Sequence, residues 1–100
     1  MINVRNARNF VPGEYIGRPS PLGNPFIIGR DGTRDEVIAK YRSWLWYKTS
    51  IDCKARDELN RLTDLYEENG NKLDLVCWCA PKACHGDVIA QAIPWWSVAR

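Results

Sequence analysis

The chain has 100 residues, of which 45% are hydrophobic and 26% charged, and its net charge is +2. This composition is typical of one globular domain, residues 1–100, and excludes a disordered chain, while the dispersed cations give no broad nucleic-acid footprint. Because the sequence shows neither a signal peptide nor a run of membrane-spanning length, we expect no membrane association and a cytoplasmic protein with reduced cysteines.

The N-terminal third is predicted to contain short strands and one stiff loop. Ile2–Asn6 alternates in polarity and predicts a strand, and Glu14–Arg18 predicts a second one. The segment 18–26 contains three prolines and a glycine, which excludes a helix and favours a preorganised loop. Phe26–Ile28 is predicted to extend this loop as a strand before a turn at 29–32.

Two helices are predicted next. Thr33 and Glu36 have the spacing of a capping box, and apolar residues at helical spacing follow, which predicts a helix at about 34–48. A second helix is predicted to start at a cap on Ser50 or Asp52 and to end at Asn69-Gly70.

The C-terminal third predicts a strand followed by a helix. Leu73–Cys79 is almost continuously apolar, as in a central strand that helices cover on both faces. The third helix is predicted over about 85–93, with Pro94 as its stop. Trp95 and Trp96 then lie in a tail, where we expect one of them to join the core.

Three of the four cysteines and the only histidine lie between positions 77 and 85. Strand alternation makes Cys77 a core residue and puts Cys79 at the carboxyl end of the strand, where open α/β sheets bind ligands. Cys84 and His85 lie at the start of the third helix, where backbone N–H groups and the helix dipole favour an anion or a thiolate.

Three chemistries fit this cluster. A zinc site has suitable ligand types, but adjacent ligands at Cys84 and His85 do not match usual zinc spacing, so no metal ligand is assigned. A catalytic thiol at Cys84, assisted by His85 or Asp87 and resolved by Cys79, is a second reading. The third is a ligand pocket with Cys79 and His85 on its floor and the loop at 18–26 as its wall.

Two stretches carry a resemblance to a known family. Gly17–Phe26, continuing through Gly32–Leu45, and Leu75–Ala90 are similar to short phage and bacterial proteins grouped as a domain of unknown function, DUF4326. The resemblance implies a phage or mobile-element setting, a compact α/β domain and one functional surface, but no established reaction. The residues that it places on this surface are Arg18, Ser20, Asn24, Cys79, Cys84, His85 and Asp87.

We therefore predict one small Rossmann-like α/β domain, with a short, mostly parallel sheet and about three helices packed on it. The leading functional hypothesis is binding of a small anionic, nucleotide-like ligand, for nucleotide handling or capture of a host-defence signal. Arg18 would pair with phosphate, Asn24 would fix the orientation, and His85 would donate to the ligand or stack on it. Asp87 would either cap the helix or accept a hydrogen bond from a ribose hydroxyl.

Two alternatives belong to other functional classes. One is a zinc-stabilised interaction module that binds a host protein through exposed Trp95 and Trp96. The other is a thiol-dependent or nucleotide-processing enzyme, for which a reactive Cys84 would be the sign.

Overall fold

A three-stranded parallel sheet and three helices make up the fold in the computed structural model, which describes residues 1–80 and 82–100. The strands are β1 (Ile2–Asn6), β2 (Glu14–Tyr15) and β3 (Leu73–Cys77), and the helices are α1 (Arg34–Thr49), α2 (Lys54–Glu68) and α3 (His85–Ala99). The predicted α/β class is confirmed. None of the helices in these residues is long and apolar enough to cross a membrane.

The predicted central strand is confirmed, since the strand order is β1-β3-β2 and β3 pairs in parallel with both neighbours. Val4 of β1 lies opposite Leu75, and Tyr15 of β2 lies opposite Val76. Because all three strands run the same way, their carboxyl ends meet at one edge of the sheet. The connections that follow β2 and β3 therefore start from the same place.

The helices lie on one face of the sheet, so the prediction that helices cover both faces is wrong. Leu73, Leu75 and Cys77 join a core whose helical members are Tyr41, Leu45, Ala55, Leu59, Leu62, Val88, Ile89 and Ile93. On the other face, Asn3 donates a hydrogen bond to Asp74 over 3.0 Å, and the Arg5 guanidinium lies 3.6 Å from the same carboxylate. Asp74 interrupts the apolar run and shares this face with Val76, which is only 6% exposed, so the face is polar at Asp74 and apolar at Val76.

The start of α1 confirms the predicted capping box. The backbone N–H of Glu36 donates to the Thr33 hydroxyl over 3.3 Å, and the N–H of Thr33 donates to the Glu36 carboxylate over 3.0 Å. Two otherwise unpaired helix-terminal donors are thereby satisfied, and the helix begins at the residue that the pattern predicts.

The start of α2 differs from the prediction, because the N-cap is Cys53 rather than Ser50 or Asp52. Ser50 instead ends α1, where its hydroxyl donates to the carbonyl of Tyr47 over 2.6 Å. Asp52 pairs with Arg56 over 3.1 Å. Both candidate caps are therefore used by neighbouring groups, and the helix starts without a side-chain cap.

Helix α3 continues through Pro94 to Ala99, so the predicted stop at Pro94 is wrong. Proline removes one helical hydrogen bond, but contacts beyond it hold the last turn. The indole N–H of Trp96 donates to the Asn60 side chain over 2.6 Å, and Trp96 packs against the core. Trp95 stays 42% exposed and lies with its ring 5.1 Å from that of Trp46.

The segment after the proline-rich loop is a turn, so the strand predicted at Phe26–Ile28 is wrong. The backbone N–H of Ile27 donates to the Asp31 carboxylate over 2.8 Å, and the N–H of Asp31 donates back to the carbonyl of Ile27 over 2.8 Å. This reciprocal pair closes the turn locally and competes with any strand pairing.

Candidate functional site

A cleft of about 360 Å³ opens at the carboxyl edge of the sheet, and we call it the carboxyl-edge cleft. One wall is the chain from Tyr15 to Ile28, the second is the first turn of α1, and the third is formed by residues 77–79 and 83–85. This is where open parallel sheets commonly bind ligands, because the connections leaving adjacent strands part there.

Five of the seven predicted site residues line this cleft: Arg18, Asn24, Cys79, Cys84 and His85. The two predicted halves, the proline-rich loop and the start of α3, therefore do face each other. Ser20 and Asp87 are not among the lining residues.

Ser20 shapes the proline-rich loop from within. Its hydroxyl accepts from the backbone N–H of Leu22 over 3.2 Å, and its carbonyl accepts from the N–H of Gly23 over 2.8 Å. Asn24 has a similar local bond, in which its side-chain oxygen accepts from the N–H of Phe26 over 2.9 Å. That bond fixes the side chain and leaves the Asn24 amide group as a donor for the cleft.

Asp87 caps α3, which is one of the two roles predicted for it. Its carboxylate accepts from the backbone N–H of Cys84 over 3.1 Å, while the Cys84 sulfur accepts from the N–H of Gly86 over 3.3 Å. Two of the N–H groups that were predicted to hold an anion are thus already used by the protein. The start of α3 contributes side chains to the cleft rather than an open backbone cradle.

One ring nitrogen of His85 forms a hydrogen bond within the protein, and the ring is neutral. Its Nε2 lies 2.7 Å from the carbonyl oxygen of Ile16, and because a carbonyl can only accept, Nε2 carries the hydrogen. Burial lowers the pKa of His85, and the nearby Arg18 cation lowers it further, so the ring is neutral at pH 7.

The other ring nitrogen of His85 is the accessible one. Among the described residues, no buried side-chain nitrogen or oxygen lacks a hydrogen-bond partner, and Nδ1 has no protein partner. Nδ1 therefore keeps an accessible surface, and the cleft is the space that His85 lines. A neutral imidazole in this tautomer offers a lone pair at Nδ1, which accepts a hydrogen bond or a proton.

Cys77 and Cys84 form a close thiol pair at the bottom of the cleft. Their sulfurs lie 3.2 Å apart, and the two residues are only 1% and 3% exposed. The two thiols share a hydrogen bond, and this contact lowers the pKa of Cys77, with help from the backbone N–H groups of Cys79 and Ala80. The same contact raises the pKa of Cys84, as does burial.

The thiol roles predicted from the sequence are therefore reversed. Cys84 begins a helix, as expected for a thiolate, but its contact with Cys77 and its burial raise its pKa. Cys77 was predicted to be a core residue, and its burial confirms that. It is also the thiol that ionises first and a lining residue of the cleft.

Arg18 and Arg34 give the cleft its charge. Its lining residues include these two arginines and no aspartate or glutamate. Arg34 occupies the first position of α1 and donates to the carbonyl of Ala83 over 2.9 Å, which ties that helix to the cysteine segment. A cation at a helix N-terminus is unfavourable by about 0.3–1 kcal/mol, and an anion in the cleft would offset that cost.

Two aromatic side chains form the wall beside Arg18. The indole N–H of Trp78 donates to the Tyr15 hydroxyl over 3.1 Å, and that hydroxyl donates to the carbonyl of Arg18 over 2.8 Å. Tyr15 lies close over Gly17, where a Cβ atom would be only 2.5 Å from the tyrosine oxygen. Trp78 is 56% exposed, so part of its ring is free to contact a ligand.

A comparison with protein families identifies the family of this chain. Residues 2–95 match the family described as Domain of unknown function (DUF4326). The chain belongs to this family. No curated protein and no solved structure matches it.

Four residues of this DUF4326 domain were not predicted from the sequence: Tyr15, Arg34 and Trp78 line the cleft, and Asn6 supports it. Asn6 ends β1 and donates to the carbonyl of Ala80 over 2.6 Å, which holds the segment that follows β3. A parallel sheet brings the end of β1 next to the end of β3, so the position of Asn6 was a usable signal. Arg34 was signalled by its place directly after the Thr33 cap.

Zinc ligation was one of the three chemistries considered for the cysteine and histidine cluster of this DUF4326 domain. Across residues 1–80 and 82–100, no three or more histidine, cysteine, aspartate or glutamate side chains converge closely enough to hold a metal ion. Cys77 and Cys84 face each other, whereas His85 directs Nε2 toward Ile16. Pro81, which lies within the second family motif, is outside the described residues.

Proposed function

We propose that the carboxyl-edge cleft binds a small anionic, nucleotide-like ligand. The observation that carries this proposal is a concave site with two arginines, no lining carboxylate and an adjacent aromatic wall. Guanidinium groups suit phosphate because they donate two parallel hydrogen bonds, and aromatic rings suit the face of a base.

The dimensions and polarity of the cleft fit a compact ligand. A volume of about 360 Å³ is at the lower end of small-molecule sites, which suits a mononucleotide or a fragment of similar size. Arg18 and Arg34 would contact the phosphate, and Trp78 would contact the base. The Asn24 amide would donate to an acceptor on the ligand, and Nδ1 of His85 would accept from a hydroxyl or an amino group.

Arg18 is the residue on which the proposal is tested. It is exposed, and its side chain forms no ion pair within the described part of the chain, so its removal leaves no protein group unsatisfied. Loss of a charge-assisted contact of about 1.5–3 kcal/mol weakens binding roughly tenfold to a hundredfold. Arg8, exposed and outside the cleft, provides a matched control variant.

The experiment is a thermal-shift screen followed by calorimetric titration. Nucleoside monophosphates, nucleoside diphosphates and inorganic phosphate are the probes, with the uncharged nucleosides as comparison, and each is measured with and without chelator. We expect the phosphorylated probes to raise the Tm of the wild type and of Arg8→Ala, but not of Arg18→Ala. An Arg18→Ala variant that binds like the wild type would overturn the site assignment.

The same screen separates this proposal from the zinc-stabilised module. That alternative needs a metal centre and two exposed tryptophans, whereas Trp96 packs on the core and only Trp95 is exposed. Metal analysis giving one zinc per chain, with unfolding on chelation, would reverse the ranking. An enzymatic role at the same cleft is compatible with ligand binding and stays a prediction.

A further inference from the structure

The pair of sulfurs at the bottom of the carboxyl-edge cleft points to a reaction that ligand binding does not require. Sγ of Cys77 and Sγ of Cys84 are 3.2 Å apart, which is close to contact and about 1 Å longer than a disulfide bond. Both residues line the cleft, so a small molecule has a route to them although each is almost fully buried.

We propose that Cys77 and Cys84 form a redox-active dithiol, which a hydroperoxide entering the cleft converts into an intrachain disulfide. Cys77 is the attacking group and Cys84 is the resolving group. The proposal does not depend on nucleotide binding, because it rests on the geometry of the two thiols alone.

The reaction balances with a hydroperoxide as the only oxidant. The Cys77 thiolate attacks one peroxide oxygen, the O–O bond breaks, and the other oxygen leaves as hydroxide or alkoxide and takes up a proton from water. The sulfur of Cys84 then attacks the Cys77 sulfenic acid, so that the S–S bond forms and the S–O bond breaks. The sulfenic hydroxyl leaves as water with the Cys84 proton, so that two thiols are oxidised and one peroxide is reduced.

The surroundings of each sulfur match these roles. Backbone N–H groups of Cys79 and Ala80 stabilise negative charge on Cys77, and the Cys84 sulfur lies 3.2 Å from it. The Cys84 sulfur already lies beside the atom that it must attack, so resolution needs a small approach of two side chains rather than local unfolding. Cys79 lines the same cleft but has no such sulfur contact in the described structure, which makes it the matched control.

The chain is well suited to mapping the product. Trypsin cleaves after Lys72 and Lys82, which puts Cys77 and Cys79 in one peptide and Cys84 in another, while Cys53 lies in a third. The wild-type protein is treated with limiting hydrogen peroxide, free thiols are alkylated, and the digest is analysed by mass spectrometry. We expect a mass loss of two hydrogens and a link between peptides 73–82 and 83–100.

Two variants assign the link. Cys79→Ser is expected to keep it, and Cys84→Ser is expected to lose it and to accumulate a sulfenic acid on Cys77 that dimedone traps. With limiting peroxide we expect Cys77 to be oxidised before Cys53, because backbone N–H groups and a neighbouring thiol surround the Cys77 sulfur. The mapping on the wild type needs no substitution, and fragment ions of the linked peptide distinguish Cys77 from Cys79, so a variant that fails to fold does not weaken the test.

Three results would overturn the proposal. One is loss of the link in a folded Cys79→Ser variant, which would make Cys79 the partner. The second is equal oxidation of Cys53 and Cys77, and the third is over-oxidation of Cys77 in the wild type without any link to Cys84. None of these bears on nucleotide binding, which the Arg18→Ala titration tests separately.

Discussion

Nε2 of His85 donates a hydrogen bond to the backbone carbonyl of Ile16 across 2.7 Å, and this bond joins the start of α3 to the residue that follows β2. Both residues are buried, and the edge of the imidazole packs on the ring of Tyr41 with centroids 5.1 Å apart. The first and third walls of the cleft are thus fixed to each other by a neutral histidine.

That neutrality makes stability depend on pH. Burial lowers the pKa of His85 below its ordinary value of 6.5, so the unfolded chain takes up a proton at a higher pH than the folded one. The free energy of unfolding is therefore expected to fall as the pH drops below about 6.5, by at most about 1.4 kcal/mol per pH unit. Urea unfolding of the wild type and of His85→Gln between about pH 5.5 and 7.5 measures this pH dependence. If the free energy of unfolding changed equally with pH in both proteins, His85 would not be the buried neutral group responsible.

Tyr41 holds the proline-rich loop through a buried hydrogen bond. Its hydroxyl donates to the carbonyl of Leu22 over 2.7 Å, and both residues are fully buried. Tyr41→Phe leaves that carbonyl without its partner, so we expect a loss of about 1–3 kcal/mol in the free energy of unfolding. Tyr47→Phe, on an exposed residue of the same helix, is the control and is expected to change stability by less than about 0.5 kcal/mol. Equal effects would show that the buried bond contributes nothing.

Gly86 allows α3 to approach the sheet closely. A Cβ atom there would lie 2.9 Å from Val4 Cγ1 and 3.0 Å from Ile16 Cδ1. In an open helical position Gly→Ala stabilises by up to about 1 kcal/mol, whereas here we expect Gly86→Ala to destabilise by about 1–3 kcal/mol. Adding Val4→Ala removes one contact, so the double variant should lose less than the sum of the two single variants. A more stable Gly86→Ala would disprove the close approach.

Asp87 distinguishes a capping residue from a ligand contact. Because its carboxylate accepts from the N–H of Cys84, Asp87→Ala is expected to cost about 0.5–2 kcal/mol of stability. Affinity for the phosphorylated probes should change by less than about twofold after correction for the folded fraction. Asp57→Ala, in the first turn of α2, is the acidic control. If Asp87→Ala lost binding and kept its Tm, the residue would contact the ligand instead.

Local sequence patterns predicted the elements whose structure depends on residues that are close together in the chain. The capping box at Thr33 and Glu36 located α1, and the apolar run at 73–79 located the central strand. The errors arose where a distant contact outweighs a local preference. Pro94 does not stop α3, because Trp96 reaches Asn60 on α2 and holds the helix beyond it.

The site was predictable in its location but not in its chemistry. The two family motifs identified the proline-rich loop and the cysteine segment as walls of the cleft. These segments lie together because parallel strands end at the same edge of the sheet. The motifs did not show that Cys77 and Cys84 meet, since strand alternation assigns the first to the core and the second to a helix cap. The distance between the sulfurs depends on the turn that joins them, and no spacing rule gives it. The position of Arg34 at the start of α1 could be predicted from the Thr33 cap, but its bond to Ala83, 49 positions away, could not.

The order of the strands also determines when this domain can fold. β1 and β2 both pair with β3. Ile2 therefore pairs only after Leu73 has been synthesised, and Glu14 pairs only after Leu75. During synthesis the first two strands therefore leave the ribosome with nothing to pair with until three quarters of these residues have been made. Helices α1 and α2 can form early from local contacts, whereas the sheet and the cleft at its edge assemble together in a late step. We expect folding to be slow for a chain of this length, and the exposed N-terminal strands to be the segment most prone to aggregation before that step.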